Sequence, residues 1–488
     1  MLIPYLGFIG PSYRARSLKF DSQECINLYA ELSATGTSKS VAALIGTPGL
    51  IPWIILAGSN NVVGVRGCKI FDRTRAVVVV NDQVHLVTLD ASNNPTSVVL
   101  GTITQGASPV SMASNGIVMM LVTGPQGYVI DLTLGTVTLI TNPAFVGADT
   151  VTFIDGYFVF NKTGTGQFQI TGLYNTDIDS LDFATAEGAP DLLLSLLADH
   201  RELWLFGETT TEVYFNSGNP DFPFERIQGA FIEQGCAAKF SPARADNSVY
   251  WLAADERGKG TVQRAQGYQP QRVSTHAVEY DIAQLSRIDD AVAYTYQQEG
   301  HSWYVLNFPA GNRTWAYDAT TDMWFKRAYR NPVNGALDRQ RQMTQMQFAG
   351  KTIVGDYATG ALYIMDLDTF TDGSATALIP RVRRGPHIQM GLKTQFFASF
   401  QVDMQVGVGL NGTGYGSDPE AMLRWSDDGG YSWSNEVKAK IGKIGETFAR
   451  VKWRRLGSGR DRVYEVTITE PVKVVLVGAQ HDVTVGAS

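Results

Sequence analysis

Five short apolar segments along this chain each end on Asp or Asn at a polar turn. They are Val87-Thr-Leu-Asp90, Tyr128-Val-Ile-Asp131, Val213-Tyr-Phe-Asn216, Trp315-Ala-Tyr-Asp318 and Tyr363-Ile-Met-Asp366. Their closing residues are 41, 85, 102 and 48 positions apart. Each long gap is about twice a short one, so one degenerate copy inside each restores a period of about 40–50 residues, the length of a four-stranded propeller blade. A radial array of such blades buries both faces of every sheet and leaves only short edges. The pattern therefore favours a propeller over a generic array of β-sandwiches.

Local signals agree with this. The apolar run at 76–80, the polar Asn81-Asp82 and the run at 84–89 read as a hairpin. Residues 151–154 and 157–160 flank Asp155-Gly156, a strong two-residue hairpin turn. Glycine (49 residues) and the aromatic residues (20 Tyr, 23 Phe, 9 Trp) favour many short strands and tight turns. No helical periodicity extends beyond about two turns. At 368–374 the chain turns polar, and strand signals resume at 396–406, 451–455 and 463–469. The expected fold is all-β: a β-propeller-like array of six or seven blades with an additional C-terminal β-sandwich-like domain. The expected division is an N-terminal arm at 1–60, the propeller at 61–370 and a C-terminal β domain at 375–488.

Charge and cysteine usage exclude several classes. A net charge of -7 argues against a dedicated nucleic-acid-binding module, which needs a basic face to neutralise phosphates. Cys25, Cys68 and Cys236 are odd in number and far apart, which fits buried thiols and neither a disulfide framework nor a zinc site. The apolar N-terminus is broken by Pro4 and Gly7 and has no basic leader, so it is no signal peptide. No run is long enough for a membrane helix, and no direct membrane insertion is expected.

Ser426-Asp-Asp428-Gly-Gly430-Tyr-Ser432-Trp433 fits an Asp-box hairpin. Its carboxylate caps turn amides, Gly430 takes positive φ, and Trp433 packs beneath. Ser426, Asp428, Gly430 and Trp433 are accordingly assigned a structural role and not a catalytic one. Gly407-Val-Gly409-Leu-Asn-Gly412 has dinucleotide-loop spacing, but no helix follows it, so it reads as a flexible loop. The six histidines are dispersed, and no nucleophile elbow or phosphate loop is present. No catalytic residue, cofactor or metal is expected. The basic clusters Arg381-Val-Arg383-Arg384 and Lys452-Trp-Arg454-Arg455 read as a solvated strand edge or a subunit interface. The N-terminal residues Leu2, Ile3, Tyr5, Phe8, Arg14 and Arg16 form a candidate assembly segment. It and residues 42–56 lie outside the blade pattern and are expected to pack on a neighbour or on the adaptor. Deleting 1–15 should then leave the monomer folded but impair ring or tail assembly.

The segment Arg16-Ser-Leu-Lys-Phe-Asp21 through Asn27-Leu-Tyr29 and Glu31, with Gly46-Thr-Pro-Gly-Leu50, resembles the opening of the phage packaged-DNA stabilisation family. The likeness continues through Arg201-Glu-Leu-Trp204, Thr211-Glu-Val-Tyr214, Phe222-Pro-Phe224, Gly235-Cys-Ala237, Thr314-Trp-Ala-Tyr-Asp318 and the stretches 423–433 and 453–457. The resemblance implies a tail hub or nozzle of a short-tailed phage, present in the virion and assembled in the bacterial host cytoplasm. It implies a homo-oligomer, a hexameric ring docked below the portal–adaptor (head-to-tail connector). That ring would retain packaged DNA, touch it transiently and non-specifically during ejection, and seat tail needle, tailspike or fibre proteins. It implies no catalysis. The alternatives are a propeller glycosidase, which would gather arginines and carboxylates at the propeller axis, and a glycan-binding receptor-recognition protein of the tail.

Overall fold

A computed structural model describes residues 2–35, 38–58, 64–186 and 188–486. Within it, the continuous apolar runs become second strands of blades. Arg75–Val80, Val118–Val122 and His301–Phe308 are buried almost throughout. A strand covered by a neighbouring blade on each side has no wet face, which is why its sequence does not alternate. Outer strands such as Pro95–Thr102 are largely exposed.

Seven antiparallel blades follow one another among the described residues, at 65–102, 111–139, 151–185, 193–232, 235–272, 292–326 and 342–366. The five repeated segments all fall at the third strand of their blades, the first, second, fourth, sixth and seventh. The two skipped copies correspond to blades 3 and 5. Asp155 and Gly156 adopt φ of 48° and 95°, the left-handed conformation of a two-residue hairpin turn.

Blade 7 is closed from the other end of the chain. Its outer strand is Gly49–Ile55, paired antiparallel with Ala361–Asp366. Pro52 is tolerated because this strand lies at a sheet edge. Residues 42–56 are therefore not an arm reaching a neighbour: Gly49–Ile55 completes the propeller and Ala42–Gly46 enters the sandwich.

The C-terminal unit is a two-sheet sandwich that recruits N-terminal strands. One sheet runs Leu28–Leu32, Ala42–Gly46, Val475–Val485, Gln395–Met404 and Val451–Arg454, with Leu2–Pro4 added on Val475–Val485. The other contains Ser22–Ile26, Arg381–Arg384, Asp461–Ile468, Glu420–Ser426 and Val437–Lys440. This second sheet joins blade 6 through a parallel bridge from Ile26 to Lys326, making eleven strands in all. The cores merge too, since Trp303, Val305 and Phe325 of blade 6 share one cluster with Phe397, Phe400, Trp453 and Tyr464. The expected 1–60 arm is thus divided between sandwich and propeller. The 60/61 boundary itself lies outside the described residues, as do Met1 and residues 487–488.

Asn27 sits where sheet two, sheet one and blade 6 meet. Its φ is 53°, a left-handed conformation that Asn tolerates. Its side chain donates to Ala328 O and Pro380 O and accepts from Ala328 N, all at 2.8–2.9 Å. The single described helix, His276–Ala283, is two turns long and capped by Thr275.

Asp372 lies beside the closing strand, bridged to Leu50. Burial raises its carboxyl to about 7 and Asp356 adds to the effect, with Arg341 opposing both. The neutral acid is therefore the form the fold favours. Its contribution is complete below pH 4 and is lost as pH rises through 7. Asp372→Asn is expected to be more stable than wild type at pH 8, by about 2 kcal/mol, with no gain at pH 4. Urea titrations at the two pH values test this, and an equal gain at both would refute it.

Candidate functional site

Two features singled out in the sequence, the N-terminal segment and the Asp-box hairpin, meet at one end of the sandwich. Asp428 accepts from Tyr431 N and Ser432 N at 2.9 and 3.0 Å and from the hydroxyls of Ser426 and Ser432, each at 2.6 Å. These donors hold its carboxyl well below the usual range. Gly430 has φ 104°, and Trp433 Nε1 donates to its carbonyl at 3.2 Å. The Trp433 ring lies 4.7 Å from the guanidinium of Arg384 and 4.7 Å from that of Arg424. Both arginines are ion-paired to buried Glu465. Both carboxylates of the hairpin are committed, Asp428 to the turn and Asp427 to Arg462, with both of its oxygens at 2.7 Å.

The 17–22 turn rests on the hairpin. His387 ties the turn to the strand Asp461–Ile468, with Nε2 2.8 Å from Leu18 O and Nδ1 2.6 Å from Asp461. A Cβ on Gly429 would stand 3.3 Å from Leu18 O. Around this contact Phe20 is 75% exposed and Tyr431 67% exposed, and Arg14, Arg16 and Lys19 are exposed as well.

The six assembly residues divide into two groups. Leu2 and Ile3 are 37% exposed, and Arg14 and Arg16 are exposed. Tyr5 and Phe8 are buried against Phe400, with ring centroids 5.9 and 6.2 Å away, and are unavailable to a neighbour. Because Tyr5 and Phe8 belong to the sandwich core, the expectation that residues 1–15 are dispensable for the monomer fold does not fit the structure.

The Arg381–Arg384 cluster is not a solvated edge. Arg383 is fully buried and donates to the carbonyls of Gly7, Phe8, Pro11 and Glu24 and to Gln23 Oε1, at 2.5–3.4 Å. It fastens the N-terminal segment into the sandwich. Arg381 is also buried and lies against Gly46. Sequence reasoning missed this latch because its acceptors are backbone carbonyls about 360 to 376 positions away.

Among the described residues no group of His, Cys, Asp and Glu could hold a metal ion, and no helix is long and apolar enough to cross a membrane. Burial raises the Cys25 thiol to about 12 and the Cys68 and Cys236 thiols to about 11, so none is a ready nucleophile.

Comparison with known proteins accounts for nearly the whole chain. Residues 10–370 match a family model described as bacteriophage P22 Gp10, β-propeller, and residues 381–484 match one described as bacteriophage P22 Gp10, β-sandwich. A propeller fused to a sandwich of this kind defines a bacteriophage structural tail protein. The chain belongs to the phage packaged-DNA stabilisation family, the family of P22 Gp10. Among solved structures, the WD40 propeller domain of Doa1 is similar with a TM-score of 0.41 at 12% identity, covering 65% of this chain and 97% of that one. The N-terminal domain of Nup159 is similar with a TM-score of 0.41 at 9% identity, covering 71% and 99%. No curated protein matches the chain.

Proposed function

We propose that the protein is the tail hub or nozzle of a short-tailed phage, a hexameric ring below the portal–adaptor that retains packaged DNA and conducts it during ejection. The observation that carries this reading is the match of both units, over nearly the entire chain, to P22 Gp10. The architecture is suited to it. A ring wall under internal pressure needs a subunit without hinges, and here propeller and sandwich share one sheet and one core. Heterologous contacts then close a ring when the subunit rotation divides the circle. The exposed residues Arg14, Arg16, Lys19, Phe20 and Tyr431 are the candidate contacts with a neighbouring subunit or the adaptor. No catalysis or cofactor belongs to this role. Against the glycosidase alternative, the two carboxylates whose cation partners line the propeller axis, Asp149 and Asp199, are both committed to ion pairs.

Single-particle imaging of the purified protein mixed with portal–adaptor complex from the same phage tests the proposal. A six-fold ring seated under the adaptor is the expected result. A monomer or trimer that ignores the adaptor would overturn it and bring a polysaccharide-cleavage assay forward.

A further inference from the structure

The innermost strands of all seven blades enclose a cavity of about 470 Å³ on the propeller axis. Four cationic side chains line it, Arg66, Lys69, Lys239 and Arg244. Two have carboxylate partners: Lys239 Nζ is 2.6 Å from Asp149, and Arg244 Nη1 is 3.6 Å from Asp199, which also engages His200 at 2.8 Å. The other two are placed differently. Arg66 is 4% exposed and donates only to neutral carbonyls, Ser108 O at 2.8 Å, Asn81 O at 2.7 Å and Thr104 O at 2.9 Å. Burial lowers its affinity for a proton, and Tyr128 and the carboxylate of Asp82 oppose that. Lys69 has no hydrogen-bond or ion-pair partner among the described residues. It reaches the cavity's water yet is walled by protein, and burial, then the charge of Arg244, lowers its affinity for a proton.

The sign of this cavity opposes that of the molecule. A chain of net charge -7 places an excess of positive charge on its axis. Lys69 comes from blade 1 and Arg244 from blade 5, across the seven-membered ring; both line the cavity, and the charge of Arg244 acts on Lys69. Low-dielectric walls around a water-filled cleft focus such a field and concentrate counter-ions in it. Thr152 and Thr295 line the same cavity and supply hydroxyl donors. Lys69 and Arg244 together offer the charge and the planar fork that suit a tetrahedral oxyanion.

We propose that the propeller axis is a binding site for a free, phosphate-sized oxyanion, held at the end where Lys69 and Arg244 approach each other. The bound anion relieves the repulsion between blades 1 and 5 and so acts as a pin for the closed ring of blades. This site is independent of how the protein assembles in the tail.

Isothermal titration of the full-length protein with inorganic phosphate, at constant ionic strength held by chloride, tests the site. Saturable binding of one phosphate per chain is expected, weakened at least tenfold by Lys69→Ala and by Arg244→Gln and retained by Lys69→Arg. Thermal unfolding should show a phosphate-dependent rise in wild type that is lost in Lys69→Ala. The exposed Arg454 lies in the sandwich, and Arg454→Ala should bind as wild type does. Absence of saturable binding to wild type overturns the proposal, as does equal affinity in wild type, Lys69→Ala and Arg244→Gln.

Discussion

Replacing Arg383 by methionine is expected to lower the unfolding free energy by about 3–5 kcal/mol. The guanidinium is the common donor for four backbone carbonyls and Gln23 Oε1 inside the sandwich. Methionine fills much of the volume and satisfies none of these acceptors, and each buried acceptor left without a donor costs roughly 1–3 kcal/mol. Because the acceptors at Gly7, Phe8 and Pro11 lie in the N-terminal segment, the loss should be local first. Amide exchange should accelerate across residues 5–12 before it does in the blades, with Tyr5 and Phe8 leaving the core. Urea unfolding combined with exchange mass spectrometry measures both. A variant as stable as wild type, with unchanged protection at 5–12, would show that Arg383 is not the latch.

Gly360→Val should open the propeller at its seam. A Cβ at residue 360 would lie 1.9 Å from Leu56 O, backbone that cannot move without leaving the sheet. Leu56 N also donates to Gly360 O at 2.8 Å, so the contact is part of the closure. Overpacking of this severity costs about 3 kcal/mol or more. The strand Gly49–Ile55 should detach, exposing the third strand of blade 7 and making residues 49–58 sensitive to protease. Gly218→Ala is the control, because nothing lies within 4 Å of a Cβ there, although its φ of 74° limits the substitution to a modest cost. Protease resistance at 49–58 in Gly360→Val would contradict the assigned closure.

The propeller was legible because its repeat is a packing requirement. A third strand packs between its sheet neighbours and must end at a turn, which puts an apolar run followed by Asp or Asn at the same place in five of the seven blades. In blade 3 the equivalent strand, Gln167–Ile170, ends at Thr171, and in blade 5 the long hairpin Ser248–Asp255 and Gly258–Gln266 displaces the pattern. Those two copies were inferred from spacing alone. The closing strand was not legible, since the partner that gives Gly49–Ile55 its meaning lies some 310 residues later. For the same reason Tyr5 and Phe8 read as surface residues and Arg383 as solvated, because single-strand signals do not report burial supplied by the far end of the chain. Lys69 and Arg244 carry no motif at all, and only the closing of seven blades brings them to one cavity.

The eleven-stranded sheet bears on inheritance. Residues 13–46 are encoded with the propeller half, and the propeller model begins at residue 10, yet Ser22–Ile26, Leu28–Leu32 and Ala42–Gly46 are strands of the sandwich. A crossover between related phages at the apparent boundary near 370–381 would therefore not exchange a module. It would give the incoming sandwich five foreign strands, Leu2–Pro4 and Tyr13–Arg14 among them, a foreign Asn27 joint and a foreign set of carbonyls for Arg383. Lineages that shuffle tail parts are expected to move this gene whole, or to change both ends of it together.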